Sequence, residues 1–100
     1  MKFVFDLDDT ILYSEISDNE YFVIGANDEL INIINNLYDD GNEIIIHTAR
    51  HWNHLQVTIE QLDEYGVCYD TVVCGKPVGD YYVDDKGIKP EDFIKILKEA

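Results

Sequence analysis

The sequence is poor in residues that carry positive charge. Lys and Arg together number 7, against 21 Asp and Glu, and the formal net charge at pH 7 is −14. Because proteins that bind nucleic acid neutralise its phosphates with Lys and Arg, this composition argues against a nucleic-acid partner. A phosphorylated ligand would also be repelled by the general negative field. Any site for one therefore needs a local cation, a lysine or aimed backbone N–H groups.

Long apolar runs and cysteine motifs are also missing. No stretch approaches the roughly 18 apolar residues of a membrane span. The first apolar run ends at Asp6, which is too short for the core of a signal peptide. Cys68 and Cys74 are the only cysteines and lack metal-binding spacing, which indicates reduced thiols. We therefore expect a cytoplasmic protein with no membrane partner.

Apolar residues, by contrast, are sufficient for a core. They make up 46% of the 100 residues, so we expect one domain over residues 1–100 that needs no disulfide or structural metal. Apolar runs predict strands at 2–6, 43–47, 71–74 and 81–83. Helical periodicity and end signals predict helices from Asn27 to Gly41, over 55–66 and from Pro90 onward. Residues 13–25 show no helical period and indicate a small hairpin or flap.

Continuous apolar strands that alternate with helices are typical of a parallel sheet. We therefore predict an α/β fold, a three-layer α/β/α sandwich with a short, mainly parallel sheet. Each predicted strand is followed by a polar cluster; the clusters are 6–10, 47–50, 75–77 and 84–86. Ligands bind at the carboxyl ends of strands in such sheets, so we expect the four clusters to meet there. Acidic groups from two strands can share one Mg²⁺, and Thr48 and Lys76 can bond the oxygens of a phosphate.

The motifs DLDDT, HT, GKP and VDD stand in this order, each after a predicted strand. This pattern resembles the haloacid dehalogenase (HAD) superfamily of phosphohydrolases, and the resemblance covers nearly the whole chain. It implies a HAD-like Rossmannoid fold. The intervals 10–48 and 48–76 leave no space for a cap domain. The short length and the stretch 75–90 are similar to the small capsule-biosynthesis phosphatases of that superfamily.

The resemblance also implies roles for individual residues. Asp6 would be the nucleophile, and Asp8 would be the general acid and base. The implied Mg²⁺ ligands are Asp6, Asp8 through its carbonyl, Asp84 and Asp85. The implied phosphate-binding residues are Thr48, Ala49 and Lys76.

These residues predict a phosphatase for a small phosphorylated metabolite, with a sugar phosphate as the first expectation. Two alternatives stay open: a nucleotide or polynucleotide 3′-phosphatase, and a non-catalytic phosphoacceptor or binding module. Asp8 favours an enzyme, because a phosphoacceptor needs no acid and base partner. Four residues near the second strand end are open between substrate contact and a structural role: His47, Arg50, His51 and His54. A homo-oligomer is also left open.

Overall fold

The computed structural model describes residues 1–99. In chain order its elements are β1 (Lys2–Phe5), β2 (Leu12–Ser17), β3 (Glu20–Ala26), α1 (Asp28–Asp39), β4 (Glu43–His47), a short 3₁₀ helix (Trp52–His54), α2 (Leu55–Glu64), β5 (Thr71–Val73) and α3 (Pro90–Glu99). No helix in this part of the chain is long and apolar enough to cross a membrane.

The three strands β1, β4 and β5 form one parallel sheet with β4 in the centre. The strands β2 and β3 pair separately as an antiparallel hairpin. The predicted α/β fold with a mainly parallel sheet is therefore confirmed, and the hairpin lies where the sequence predicted a small hairpin or flap. Within residues 1–99 nothing larger than the hairpin is inserted between β1 and α1, and no cap domain is present.

The core lies against the central strand. Ile44 and Ile46 of β4 are fully buried, and Phe5 of β1 is paired in register with Ile46. The ring of Phe93 in α3 lies 5.6 Å from that of Phe5 between centroids, in an edge-on arrangement favourable for aromatic pairs. This packing holds the last helix against the first strand, whose end carries the predicted nucleophile.

The helix-end signals in the sequence are confirmed. The Asn27 side chain accepts a hydrogen bond of 3.2 Å from the backbone N–H of Leu30 and so caps α1. Gly41, just beyond the end of that helix, has φ of +90°, a conformation that glycine adopts without strain. Pro90 is the first residue of α3.

The strand predicted at 81–83 is wrong. Residues 74–89 form no strand or helix, and the Tyr81 and Val83 side chains are 90% and 98% exposed. The Tyr82 hydroxyl instead donates to the carbonyl of Pro77 (2.9 Å) and accepts from the N–H of Gly79 (3.0 Å), which closes a local loop. A run of three apolar residues between aspartates does not bury enough surface to displace such local bonds.

Candidate active site

A tight turn after β1 sets the positions of the first two candidate carboxylates. The carbonyl of Leu7 accepts hydrogen bonds from three successive N–H groups, those of Thr10, Ile11 and Leu12, at 2.9–3.2 Å. Leu7 itself is fully buried. Asp6 and Asp8 therefore stand on either side of a side chain anchored in the core, and the turn backbone between β1 and the hairpin is fixed.

Asp6 lines a cavity of about 1050 Å³ at the end of β1. His47, Lys76 and Asp84 line the same cavity, so at least one residue from each of the four polar clusters lines it. The Nζ atom of Lys76 lies 4.0 Å from Oδ1 of Asp6. The ends of β1 and β5 thus bring together an acidic residue and a lysine, and the loop 74–89 adds a second carboxylate, Asp84.

The surroundings of Asp6 shift its ionisation. Desolvation by burial raises the pKa of Asp6 above its ordinary value, and the negative charge of Asp8 acts in the same direction. The ammonium of Lys76 lowers the pKa but does not cancel the effect of burial. The Asp6 side chain is nevertheless 42% exposed, so its ionised carboxylate is partly desolvated. This favours attack on an electrophile, since less solvent must be removed.

Lys76 reaches the cavity because the segments after β4 and β5 are bonded to each other. Its N–H donates to the carbonyl of Thr48 at 2.9 Å, and the N–H of Gly75 donates to the carbonyl of Arg50 at 2.8 Å. Gly75 has φ of +82°, which turns the chain immediately before the lysine. The Lys76 ammonium also lies 4.5 Å from the ring centroid of Tyr82, within the range of a cation–π contact.

The remaining residues predicted to bind phosphate are placed differently. Thr48 is fully buried, and its Oγ1 accepts a hydrogen bond of 3.1 Å from the N–H of Arg50. Neither Thr48 nor Ala49 is among the described residues that line the cavity. The Thr48 carbonyl and hydroxyl bond the backbone N–H groups of Lys76 and Arg50 just after β4, and phosphate binding by Thr48 and Ala49 stays a prediction.

The two aspartates of the fourth polar cluster, Asp84 and Asp85, differ in their position relative to the cavity. Asp84 lines the cavity, whereas Asp85 is not among the described lining residues. Oδ1 of Asp84 accepts a hydrogen bond of 2.9 Å from the N–H of Lys86, which helps to hold the pKa of Asp84 below its ordinary value. Between residues 1 and 99 no group of three or more His, Cys, Asp or Glu is close enough to hold a metal ion. The carboxylates of Asp6 and Asp84 are nevertheless the oxygen donors that Mg²⁺ prefers, and it is commonly held by one or two such groups together with water and substrate.

Asp8, like Thr48 and Ala49, is not among the described residues that line the cavity, and its carboxylate is paired with Arg50. Nε of Arg50 donates to Oδ2 of Asp8 at 3.0 Å, and NH2 donates to Oδ1 at 2.8 Å, so both carboxylate oxygens are bonded to one guanidinium. Arg50 has no exposed surface. The sequence left its role open, although Arg50 is the only arginine of the chain and follows a predicted strand by three residues. A single arginine next to a strand end, in a sequence with 21 acidic residues, was the feature that could have indicated a pairing with a carboxylate.

Comparisons with known proteins concern the family and the fold. Residues 3–100 match the family model of haloacid dehalogenase-like hydrolases. The fold is similar to a crystal structure of an MCSG target from Vibrio cholerae, with 29% sequence identity and a TM-score of 0.81. That similarity covers 98% of this chain and 91% of the other. A search of curated proteins found no match.

Proposed function

The chain belongs to the haloacid dehalogenase-like hydrolase family, and on that premise we propose that it is a Mg²⁺-dependent phosphatase acting on a phosphate monoester. The observation that carries the proposal is the position of Asp6. Its carboxylate lies at the end of β1 in a cavity it shares with Asp84, and the ammonium of Lys76 is 4.0 Å away. In this proposal Asp6 is the nucleophile, Asp84 is a second acidic group, and Lys76 is the cation for the phosphoryl oxygens.

The proposed reaction has two steps. In the first, an oxygen of Asp6 attacks phosphorus, the P–O bond to the leaving group breaks, and the leaving oxygen takes a proton from Asp8. In the second, Asp8 accepts a proton from a water molecule that attacks phosphorus, and the bond between Asp6 and phosphorus breaks. Inorganic phosphate leaves, and both carboxyl groups return to their starting states.

Lys76 supports this chemistry through its charge. In the transition state negative charge is spread over the oxygens of the transferring phosphoryl group, and a fixed ammonium stabilises it there. Asp6 and Asp84 would hold the Mg²⁺ ion, which when bound would offset the repulsion between carboxylate and phosphate.

The distribution of lysines also supports a phosphorylated substrate. Four of the six lysines line the cavity that contains Asp6; they are Lys2, Lys76, Lys86 and Lys89. Among the residues that the structure describes, the acidic ones that line it are only Asp6 and Asp84. The cavity is therefore locally basic on a chain of net charge −14, which supplies the local attraction that an anionic ligand requires.

For the substrate we propose a small phosphorylated metabolite, with a sugar phosphate as the first candidate. The support for a sugar phosphate, and for the narrower capsule-biosynthesis type, is the resemblance of the stretch 75–90. The absence of a cap among residues 1–99 means that the cavity opens to solvent, so bulky leaving groups can enter. We further propose that residues 1–100 act as one domain, with the hairpin as a flap.

Phosphate release tests the proposal directly. We expect release from 4-nitrophenyl phosphate with Mg²⁺, no release with chelator, and loss of release in Asp6→Asn. The exposed loop residue Asp80 provides the matched control, and Asp80→Asn should retain activity. A stable phosphoryl adduct on Asp6 without turnover would identify a phosphoacceptor instead. Absence of both release and adduct, across aryl and sugar phosphates, would refute the phosphatase assignment.

A further inference from the structure

Arg50 is the centre of a buried polar network that the proposed reaction does not account for. Besides its two bonds to Asp8, its NH1 donates to Oγ1 of Thr58 at 3.1 Å and to Oε1 of Gln61 at 2.7 Å. Its NH2 also donates to Oγ of Ser14 at 3.2 Å. A guanidinium has five N–H donors, and all five of Arg50 have an acceptor. The Arg50 side chain is therefore held in a single orientation.

The network joins three separate parts of the fold. Ser14 belongs to β2 of the hairpin, Thr58 and Gln61 belong to α2, and Asp8 belongs to the turn after β1. The ring centroid of Tyr21 in β3 lies 4.1 Å from Cζ of Arg50, so the hairpin contacts the guanidinium from a second strand. Each contact constrains the orientation of the Arg50 guanidinium relative to the carboxylate of Asp8.

We propose that Arg50 is a positioning residue that orients the carboxylate of Asp8 for proton transfer and couples that orientation to the hairpin and α2. The inference rests on the proposed function, in which Asp8 is the general acid. A carboxylate has about four lone-pair sites, and the two bonds from Arg50 occupy one on each oxygen. The Asp8 side chain is 30% exposed, so the remaining sites can accept or donate a proton at a leaving group in a direction that the guanidinium plane determines.

Lysine cannot replace this arrangement. It keeps a positive charge, but an ammonium is a point donor and cannot form two parallel bonds to one carboxylate while its other donors reach α2 and the hairpin. Arg50→Lys therefore preserves the local charge and removes the orientation of Asp8. A purely electrostatic role would survive this substitution, whereas a positioning role would not.

The kinetic test uses two leaving groups. 4-Nitrophenolate leaves without a proton, whereas a sugar alkoxide needs one from Asp8. Since kcat/KM reports the first step, Arg50→Lys should widen the ratio of kcat/KM between 4-nitrophenyl phosphate and a sugar phosphate by about tenfold or more. A loss that is equal for both substrates, or no loss, would overturn the positioning role.

Two further variants guard against a simple folding defect. Asn35 donates to the carbonyl of Gly66 and accepts from the N–H of Cys68, and neither partner belongs to the network. Asn35→Ala should lower stability without changing the ratio. Ser14→Ala removes one bond at the hairpin side, leaves Asp8 and Arg50 intact, and should widen the ratio by a smaller factor. If Arg50→Lys does not fold, Ser14→Ala decides the question.

A second readout needs no activity. The Arg50 Nε–H should give an NMR signal protected from solvent exchange, and Asp8→Asn should speed its exchange while Asn35→Ala should not. If the wild type releases no phosphate but the Nε–H is protected through Asp8, the proposed function fails and the orientation of Asp8 by Arg50 stands. An Nε–H that exchanges rapidly in the wild type would overturn the inference itself.

Discussion

The ammonium of Lys76 lies 4.0 Å from the carboxylate of Asp6, although the strands that precede them, β5 and β1, are not neighbours in the sheet. Only the central strand β4 separates them, and the N–H of Lys76 is bonded to the carbonyl of Thr48, just after that strand. The distance is therefore set by backbone pairing and not by a flexible side chain alone. A lysine fixed in this way is suited to stabilise charge on a phosphoryl group next to Asp6.

Replacement of Lys76 should lower catalysis strongly. In Lys76→Met the cavity keeps a side chain of similar length but loses the charge next to Asp6. Because this charge acts mainly on the transition state, we expect kcat/KM for 4-nitrophenyl phosphate to fall by about 100-fold. Lys95 is exposed on α3 and does not line the cavity, so Lys95→Met is the matched control and should retain activity within about twofold. Equal activities of the two variants would contradict the role of Lys76.

Asp6→Asn should stabilise the metal-free protein at neutral pH. Burial raises the folded-state pKa of Asp6, so the folded protein holds this proton more tightly than the unfolded chain. Stability attached to the protonated carboxyl is complete below the unfolded pKa near 3.8 and is lost as the pH rises through the folded pKa. Asparagine stays neutral throughout. The Tm of the Asp6→Asn variant should therefore exceed the Tm of the wild type at pH 7 in chelator. This difference in Tm should shrink toward zero as the pH falls below 3.8.

Thermal melts at several pH values, with Asp80→Asn as the control, check this prediction. Asp80 is exposed in the loop before Tyr81, so its replacement should give a difference in Tm that is close to zero at every pH. A lower Tm for Asp6→Asn at pH 7 would mean that the attraction to Lys76 exceeds the cost of desolvation, contrary to the direction of the pKa shift.

Local signals in the sequence predicted most of the fold. Asn27, Gly41 and Pro90 act through their own backbone neighbourhood, so their positions at helix ends follow from chemistry that the sequence displays. The prediction of a strand at 81–83 was wrong because a run of three apolar residues does not indicate whether it pairs with another strand. The apolar pattern is the same in a paired strand and in this exposed loop.

Part of the site was also predictable from the sequence. The rule that parallel strands present ligand sites at their carboxyl ends placed Asp6 and Lys76 together, whereas Asp84 lines the same cavity from a loop and not from the strand end that the sequence predicted. The role of Arg50 was left open because its partners come from the hairpin and α2, and no spacing along the chain indicates that these meet. The burial of Thr48 likewise depends on tertiary packing.

Hydrogen exchange should distinguish the loop from the sheet. The amides of Tyr81 and Val83 have no sheet partner and lie in an exposed segment, so we expect them to exchange rapidly. The amides of Ile45 and Ile46 lie in the central strand and should be protected by several orders of magnitude more. Exchange followed by NMR in metal-free buffer gives both rates in one sample. Comparable protection of the two segments would show that 81–83 is paired in solution.

The start of α1 offers a last prediction, because Asn27 connects this helix to the turn that carries the nucleophile. Its Oδ1 caps the N–H of Leu30, and its Nδ2 donates to the carbonyl of Thr10 at 3.4 Å. Asn27→Ala removes both bonds and should cost about 1 kcal/mol, which lowers the Tm of a domain of this size by about 4–8 °C. Asn27→Asp keeps the cap but not the donor and should recover most of that loss. The control, Asn32→Ala, lies on the exposed face of the same helix and should leave Tm unchanged or slightly higher, since alanine favours helix. If Asn27→Ala and Asn32→Ala melt together, the cap contributes nothing and the turn is held by its own backbone bonds to Leu7.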